Sequence, residues 1–303
     1  MILPRLSVVL LLLLQVVLSV RTEMVAVPVI VTDARGHHVS GLTQQDFRVF
    51  EDGRPQPIAV FHRGDIPITV GLVVDRSQSM RPKTSALLAA VSALLHASRP
   101  DDELFALAFN DRVSFALPGD RPFTNDAKAL EAAQAAVPAE GQTALYDGVA
   151  AGLEHLQLGH SGKQALIVVS DGGDNASRQT YARILTLARQ SDVVIYAIGL
   201  LGTSIGQEEE DADLLDRLCN DTGGMAYFPR TTDQIAASSL QVAQDLRAQY
   251  TLGFAPSDRT DGRTFRTIQV TVSAAGHGRL HVRTRSGYVV SGNKGQTDDK
   301  DKP

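Results

Sequence analysis

The stretch that decides the fold is Ile68-Thr69-Val70-Gly71-Leu72-Val73-Val74, followed directly by Asp75-Arg76-Ser77-Gln78-Ser79-Met80. An apolar, β-branched run of this length is typical of a strand buried on both faces, as at the centre of a parallel sheet. A helical pattern of leucine and valine begins soon after Pro82. Open α/β sheets bind ligands in the crevice beyond the carboxyl ends of their strands, so this junction is the first candidate site.

Strand and helix patterns alternate beyond this junction. A hairpin around Asn110-Asp111 would add an antiparallel edge strand. The sequence therefore predicts an α/β fold with a doubly wound, mostly parallel, Rossmann-like sheet and helices on both faces. The predicted strands span 104–109, 113–117, 165–169, 193–198 and 225–228, and the predicted helices span 126–136, 145–156, 181–191, 214–222 and 232–247.

Further strand patterns lie on both sides of this unit. Neither set is large enough to bury a core alone, so the simplest packing joins them into one small β-sandwich with the α/β domain inserted between its parts. The predicted strands are 24–32, 47–53 and 58–61 before the unit, and 250–254, 265–273, 280–284 and 287–290 after it. The predicted divisions are a signal peptide (1–20), the first sandwich part (21–65), the α/β domain with the metal site (66–248), the second sandwich part (249–290) and a disordered tail (291–303).

Composition narrows the class of protein. The chain has 303 residues, 43% hydrophobic and 21% charged, with a net charge of −5, which fits a globular protein and argues against a nucleic-acid surface. Cys219 is the single cysteine, so an intrachain disulfide is excluded, and a buried inert thiol is expected.

The N-terminus has the pattern of an export signal. Arg5 precedes the apolar run 6–20, which is short for a bilayer span of ~20 residues. Export is therefore expected, to a secreted, periplasmic or envelope-associated location. An uncleaved membrane anchor is the alternative.

Oxygen-bearing side chains mark the candidate site. Asp75, Ser77 and Ser79 stand at alternate positions, so all three can converge on one point, and hard oxygens suit Mg²⁺, Mn²⁺ or Ca²⁺. Helix capping is the alternative role for these residue types. Thr143 and Asp171 lie at element ends that a doubly wound sheet would place on the same edge.

This set of residues resembles the metal-ion-dependent adhesion site of a von Willebrand factor type A (VWA) domain. The resemblance rests on Asp75-x-Ser77-x-Ser79, then Thr143, then Asp171 in a Ser-Asp-Gly setting. It implies a divalent cation, Mg²⁺ or else Mn²⁺ or Ca²⁺, held by these five residues, and a protein partner whose carboxylate completes the coordination. Gln78 replaces a frequent glycine of the family, which bears on loop shape only.

A narrower resemblance concerns longer stretches. Residues 39–53, 249–254 and 283–288 resemble exported bacterial VWA-related proteins that are abundant in Acidobacteria, and this similarity spans roughly 24–290. The expected function is a non-enzymatic adhesion or binding module. The alternatives are a metal-dependent hydrolase, which would need a general base that the sequence does not offer near the site, or an envelope structural protein with an unused metal site. The acidic stretch 206–213 is expected to be a solvated loop before a helix.

Overall fold

A computed structural model describes residues 24–64, 66–201, 207–257 and 264–290, without the side chains of residues 207–210. The predicted signal peptide and C-terminal tail lie outside the described residues. Among the described helices, none combines the length and apolar character needed to cross a membrane.

The central strand is the quoted apolar stretch together with Asp75, and all eight of its residues are buried. It lies in a six-stranded sheet of order β10-β9-β8-β5-β6-β7, parallel except for the pairing of β6 with β7. The strands of this sheet are β5 (Ile68–Asp75), β6 (Glu103–Phe109), β7 (Val113–Phe115), β8 (Lys163–Ser170), β9 (Val194–Gly199) and β10 (Ala226–Tyr227).

Helices cover both faces of this sheet, because each face of β5 must be removed from water. Helices α1, α2 and α6 contribute Val91, Leu130 and Val242 to the core on one face. Helices α3, α4 and α5 contribute to the core on the other face, where the single cysteine is also buried. The helices are α1 (Thr84–His96), α2 (Ala127–Ala136), α3 (Leu145–Leu156), α4 (Tyr181–Gln190), α5 (Gln207–Thr222) and α6 (Thr232–Ala248).

Two antiparallel sheets, each of four strands, are built from the segments on either side of the α/β unit. Their strand orders are β13-β1-β11-β4 and β14-β12-β2-β3. One apolar cluster joins them, with Val27, Val49, Leu252 and Val270 among its members. The α/β fold with an additional β-sandwich is thus confirmed. The strands are β1 (Val25–Thr32), β2 (Phe47–Glu51), β3 (Arg54–Gln56), β4 (Val60–His62), β11 (Tyr250–Phe254), β12 (Phe265–Val272), β13 (His281–Thr284) and β14 (Gly287–Val289).

Two local expectations were wrong. The acidic residues after position 206 belong to helix α5, which begins at Gln207 instead of near 214, and acidic residues suit a helix N-terminus. The region 47–61 forms three strands instead of two, because β2 turns back at Asp52 and Gly53 into the short strand β3. Strand β4 then joins the opposite sheet by pairing with β11.

Arg285 ties the sandwich to the α/β domain. Its side chain is 4% exposed, and its guanidinium donates to the Asp192 carboxylate at 2.9 Å and to the Arg189 carbonyl at 2.7 Å. The same group donates to the carbonyl of Ala26 on β1 at 3.3 Å. One buried cation therefore satisfies acceptors from both units.

We expect Gly71→Ala to destabilise the protein by roughly 1–3 kcal/mol, because a methyl group would overpack the centre of the sheet. A Cβ at this position would overlap the Phe105 ring and lie 2.9 Å from Leu166 Cδ1. Urea unfolding measures the change. Gly278→Ala is the matched control, since no atom lies within 4 Å of its Cβ position. Equal losses in both variants would contradict tight packing at β5.

Replacing Arg285 by Met should lower the free energy of unfolding by about 2 kcal/mol, since buried carbonyl acceptors lose their donor. Asp192 is more than half exposed, so water can solvate its freed carboxylate. Thermal and urea unfolding would be compared with Arg48→Met, a change at an exposed arginine of β2. A loss no greater than that of the control would mean that Arg285 does not hold the two units together.

Candidate metal site

The carboxylate of Asp75 is fixed at the end of β5 and is fully buried. The Ser77 N–H donates to its Oδ1 at 2.8 Å, and the Ser170 hydroxyl donates to its Oδ2 at 2.6 Å. These two bonds hold the carboxylate in one orientation. Sequence reasoning missed Ser170, although it stands immediately before Asp171 in the Ser-Asp-Gly stretch.

Ser77 and Ser79 present their hydroxyls together, with the two Oγ atoms 3.0 Å apart. Ser79 lies within the 3₁₀ turn Gln78–Lys83, and Ser77 is the N-cap residue of this turn but makes no side-chain capping bond. The capping alternative is therefore not used here. The two hydroxyls pair with each other beside Asp75.

The loop that carries Thr143 is fastened to this turn. The Gln78 N–H donates to the Gly141 carbonyl at 3.0 Å, and the Glu140 N–H donates to the Arg76 carbonyl at 2.9 Å. Gly141 has φ +78°, and a Cβ there would overlap the Asp111 carboxylate, so the close approach requires glycine.

The loop that follows Asp171 is held against Thr143 and helix α3. The Thr143 N–H donates to Asn175 Oδ1 at 2.8 Å, and the Thr143 carbonyl accepts from the Asn175 N–H at 2.9 Å. Asp174 accepts from the Tyr146 N–H at 3.2 Å, so its carboxylate anchors the loop to α3. The loops of Thr143 and Asp171 therefore meet at the same sheet edge as Asp75.

Lys83 also reaches this edge, and sequence reasoning did not single it out. Its Nζ donates to Asp171 Oδ2 at 3.0 Å in a largely buried ion pair. The sequence indicates this role only by placing Lys83 at the end of the turn Gln78–Lys83, close to Ser77 and Ser79. Within the described residues, the hydrogen bonds and ion pairs of the five predicted ligands include no histidine or glutamate.

Burial dominates the electrostatics of the site. It raises the pKa of Asp75 from 3.8 to about 6, and the negative charge of Asp171 adds to this rise, while hydrogen bonds from Ser170 and Ser77 oppose it. The two carboxylates thus lie close enough to repel, which a divalent cation would relieve.

The donor chemistry fits a hard cation, although the set is small. Two carboxylates and three hydroxyls are the ligand types that Mg²⁺ prefers. Across the described parts of the chain, no group of three or more His, Cys, Asp or Glu side chains is arranged to hold a metal, so this site would depend on its hydroxyls.

Comparison with known proteins identifies the class. The sequence profile of the von Willebrand factor type A domain matches residues 69–242, more than half of the chain, and the chain belongs to this family. No curated protein gives a significant match.

Several solved structures align with this chain at low sequence identity. A von Willebrand factor type A protein from Catenulispora acidiphila aligns with a TM-score of 0.53 at 14% identity, over 82% of this chain and 74% of that one. The pilus adhesin SpaC from Lactobacillus rhamnosus GG aligns with a TM-score of 0.49 at 13% identity, over 80% of this chain and 47% of that one. The vWF domain of the pili tip protein Mfa5 from Porphyromonas gingivalis gives a TM-score of 0.47 at 12% identity, over 59% of this chain and 95% of that one.

The raised pKa of Asp75 predicts a pH-dependent stability in metal-free protein. The folded state binds this proton more tightly than the unfolded state, so the contribution is fully present below pH 3.8 and is lost as pH rises through about 6. We expect Asp75→Asn to avoid this loss. Its stability relative to the parent protein should be greater at pH 7 than at pH 4 by about 2 kcal/mol, because a small part of the contribution is already lost at pH 4.

Urea unfolding at both pH values, without divalent cations, measures this difference. Asp120→Asn, a change at an exposed aspartate, is the control. A difference that does not change with pH would show that Asp75 is not destabilised by burial.

Proposed function

We propose that this protein is an exported binding module that captures an acidic group of a protein partner through a divalent cation. Asp75, Ser77, Ser79, Thr143 and Asp171 would hold the cation. The VWA family membership supports the class of protein, and the arrangement of oxygens at the carboxyl edge of the sheet supports the mode of binding.

The observation that carries the proposal is the buried Asp75 carboxylate beside two serine hydroxyls that cap no helix. A buried charge is costly unless it is paired, and hydrogen bonds from Ser77 and Ser170 compensate it only in part. Such a carboxylate at a ligand-binding edge suggests an exchangeable positive partner. A helix-capping role would have engaged the hydroxyls instead.

A Mg²⁺ ion in such a site would keep open positions for water, and a carboxylate from a partner could take one of them. This chain's residues would do the rest. Ser170 and the Ser77 N–H orient Asp75, Asn175 positions Thr143, and the rim of the site determines which acidic partners fit. A hydrolytic role would need a general base, and the described contacts of the five residues supply none.

Export is part of the proposal and rests on the apolar run 6–20 after Arg5. The membership in the exported, Acidobacteria-type group is likewise proposed, from the similarity of residues 39–53, 249–254 and 283–288. The bound cation is proposed as Mg²⁺, with Mn²⁺ or Ca²⁺ as the other hard cations that this donor set accepts.

Asp75→Ala should abolish both Mg²⁺ binding and partner capture while the fold is retained, because the side chain lies at the rim of a core made by β5. Isothermal titration with Mg²⁺ and with Mn²⁺ measures the first effect. Pull-down from the cell-envelope fraction of the source organism, with Mg²⁺ or with chelator, measures the second. Thermal melts check the fold, and Asp120→Ala is the control.

Capture that is equally strong in chelator would refute the metal-bridged contact. Loss of binding together with loss of the folded state would assign Asp75 a structural role instead.

A further inference from the structure

Lys83 forms an ion pair with Asp171, which is one of the proposed cation ligands. Its ammonium donates to Asp171 Oδ2 at 3.0 Å, and the two side chains are only 20% and 12% exposed. Water therefore screens this ion pair poorly. The two residues are 88 positions apart in sequence, and the pair joins the turn before α1 to the residue directly after β8.

A fixed ammonium and a divalent cation would compete for the same carboxylate. In metal-free protein, Lys83 neutralises Asp171 and limits the repulsion that this carboxylate exerts on Asp75. A divalent cation bound by both carboxylates would find the charge of Asp171 already partly balanced by Lys83. The positive charge of Lys83 would also repel the cation. Both effects lower cation affinity.

Lys83 also has space into which it can withdraw. It lines a cavity of about 460 Å³ that lies between the start of α1 and the start of α6. Leu200, Phe228 and Ile235 form other parts of its wall. The long aliphatic stem of a lysine packs well on apolar walls while its ammonium stays near solvent, so this cavity suits a lysine that has left Asp171.

We propose that Lys83 is the internal counter-ion of this site, which holds Asp171 in the metal-free protein and yields it when a divalent cation binds. This inference rests on the proposed function. Binding is then an exchange of one cation for another, and Lys83 sets the cation concentration at which the site fills. The site fills only at a higher divalent concentration than it would with a neutral residue at position 83.

Isothermal titration with Mn²⁺ tests this exchange in the parent protein and in Lys83→Met, which keeps the apolar stem and removes the charge. The expected result is at least about tenfold tighter Mn²⁺ binding in the variant, from the loss of one like charge close to the ion. Lys83→Arg should restore the weaker affinity. Lys128→Met, at an exposed lysine of α2, should leave it unchanged.

Thermal melts give a second readout. Without metal, Lys83→Met should melt at a lower temperature than the parent, and Mn²⁺ should raise its melting temperature by more than it raises that of the parent. If the variant does not fold without metal, Lys83→Gln and refolding in Mn²⁺ allow the same comparison.

The possible outcomes separate the two proposals. Mn²⁺ binding by the parent with unchanged or weaker binding by Lys83→Met would overturn the counter-ion role and leave the metal-dependent function standing. Binding by the variant alone would support the role of Lys83 and show that the lysine keeps the cation out. Absence of binding in every form would overturn both.

Discussion

Burial of both faces of strand β5 is the constraint on which the rest of the structure depends. All eight residues of the strand are removed from water, so helices must cover the sheet on each side. Parallel strands joined by helices place their carboxyl ends at one edge, which brings Asp75, the last residue of β5, near Asp171, the residue directly after β8. The same burial requires glycine at position 71, because the side chains of Phe105 and Leu166 occupy the space where a Cβ would lie.

The candidate site inherits its electrostatics from this burial. A carboxylate at the end of a fully buried strand loses hydration, which raises the pKa of Asp75 to about 6. Hydrogen bonds from Ser77 and Ser170 partly compensate the Asp75 carboxylate for its lost hydration. Lys83 pairs with the negative charge of Asp171. The site therefore contains two carboxylates, Asp75 and Asp171, and one ammonium group, that of Lys83. A divalent ion would supply the positive charge that the second carboxylate lacks.

The sandwich is held to this domain by charged groups that face inward. Arg285 bonds carbonyls and an aspartate from both units, and Arg283 pairs with Asp245, a buried residue of α6. Asp245 also contacts His38 Nε2 at 2.7 Å, from the loop after β1. Each of these buried groups depends on its partner, because a buried charge without its partner costs several kcal/mol. The two ends of the inserted domain are thus fixed to one sandwich.

The sequence by itself determined the order of strands and helices, the fold class and the grouping of Asp75, Ser77 and Ser79, because periodicity and a spacing of two residues are local properties. Only the tertiary structure decided that 207–213 is helical and that β3 and β4 belong to opposite sheets. It also decided that Ser170 donates a hydrogen bond to Asp75 and that Lys83 pairs with Asp171. Contacts such as that between Lys83 and Asp171 depend on how distant elements pack, and no local pattern in the chain encodes that packing.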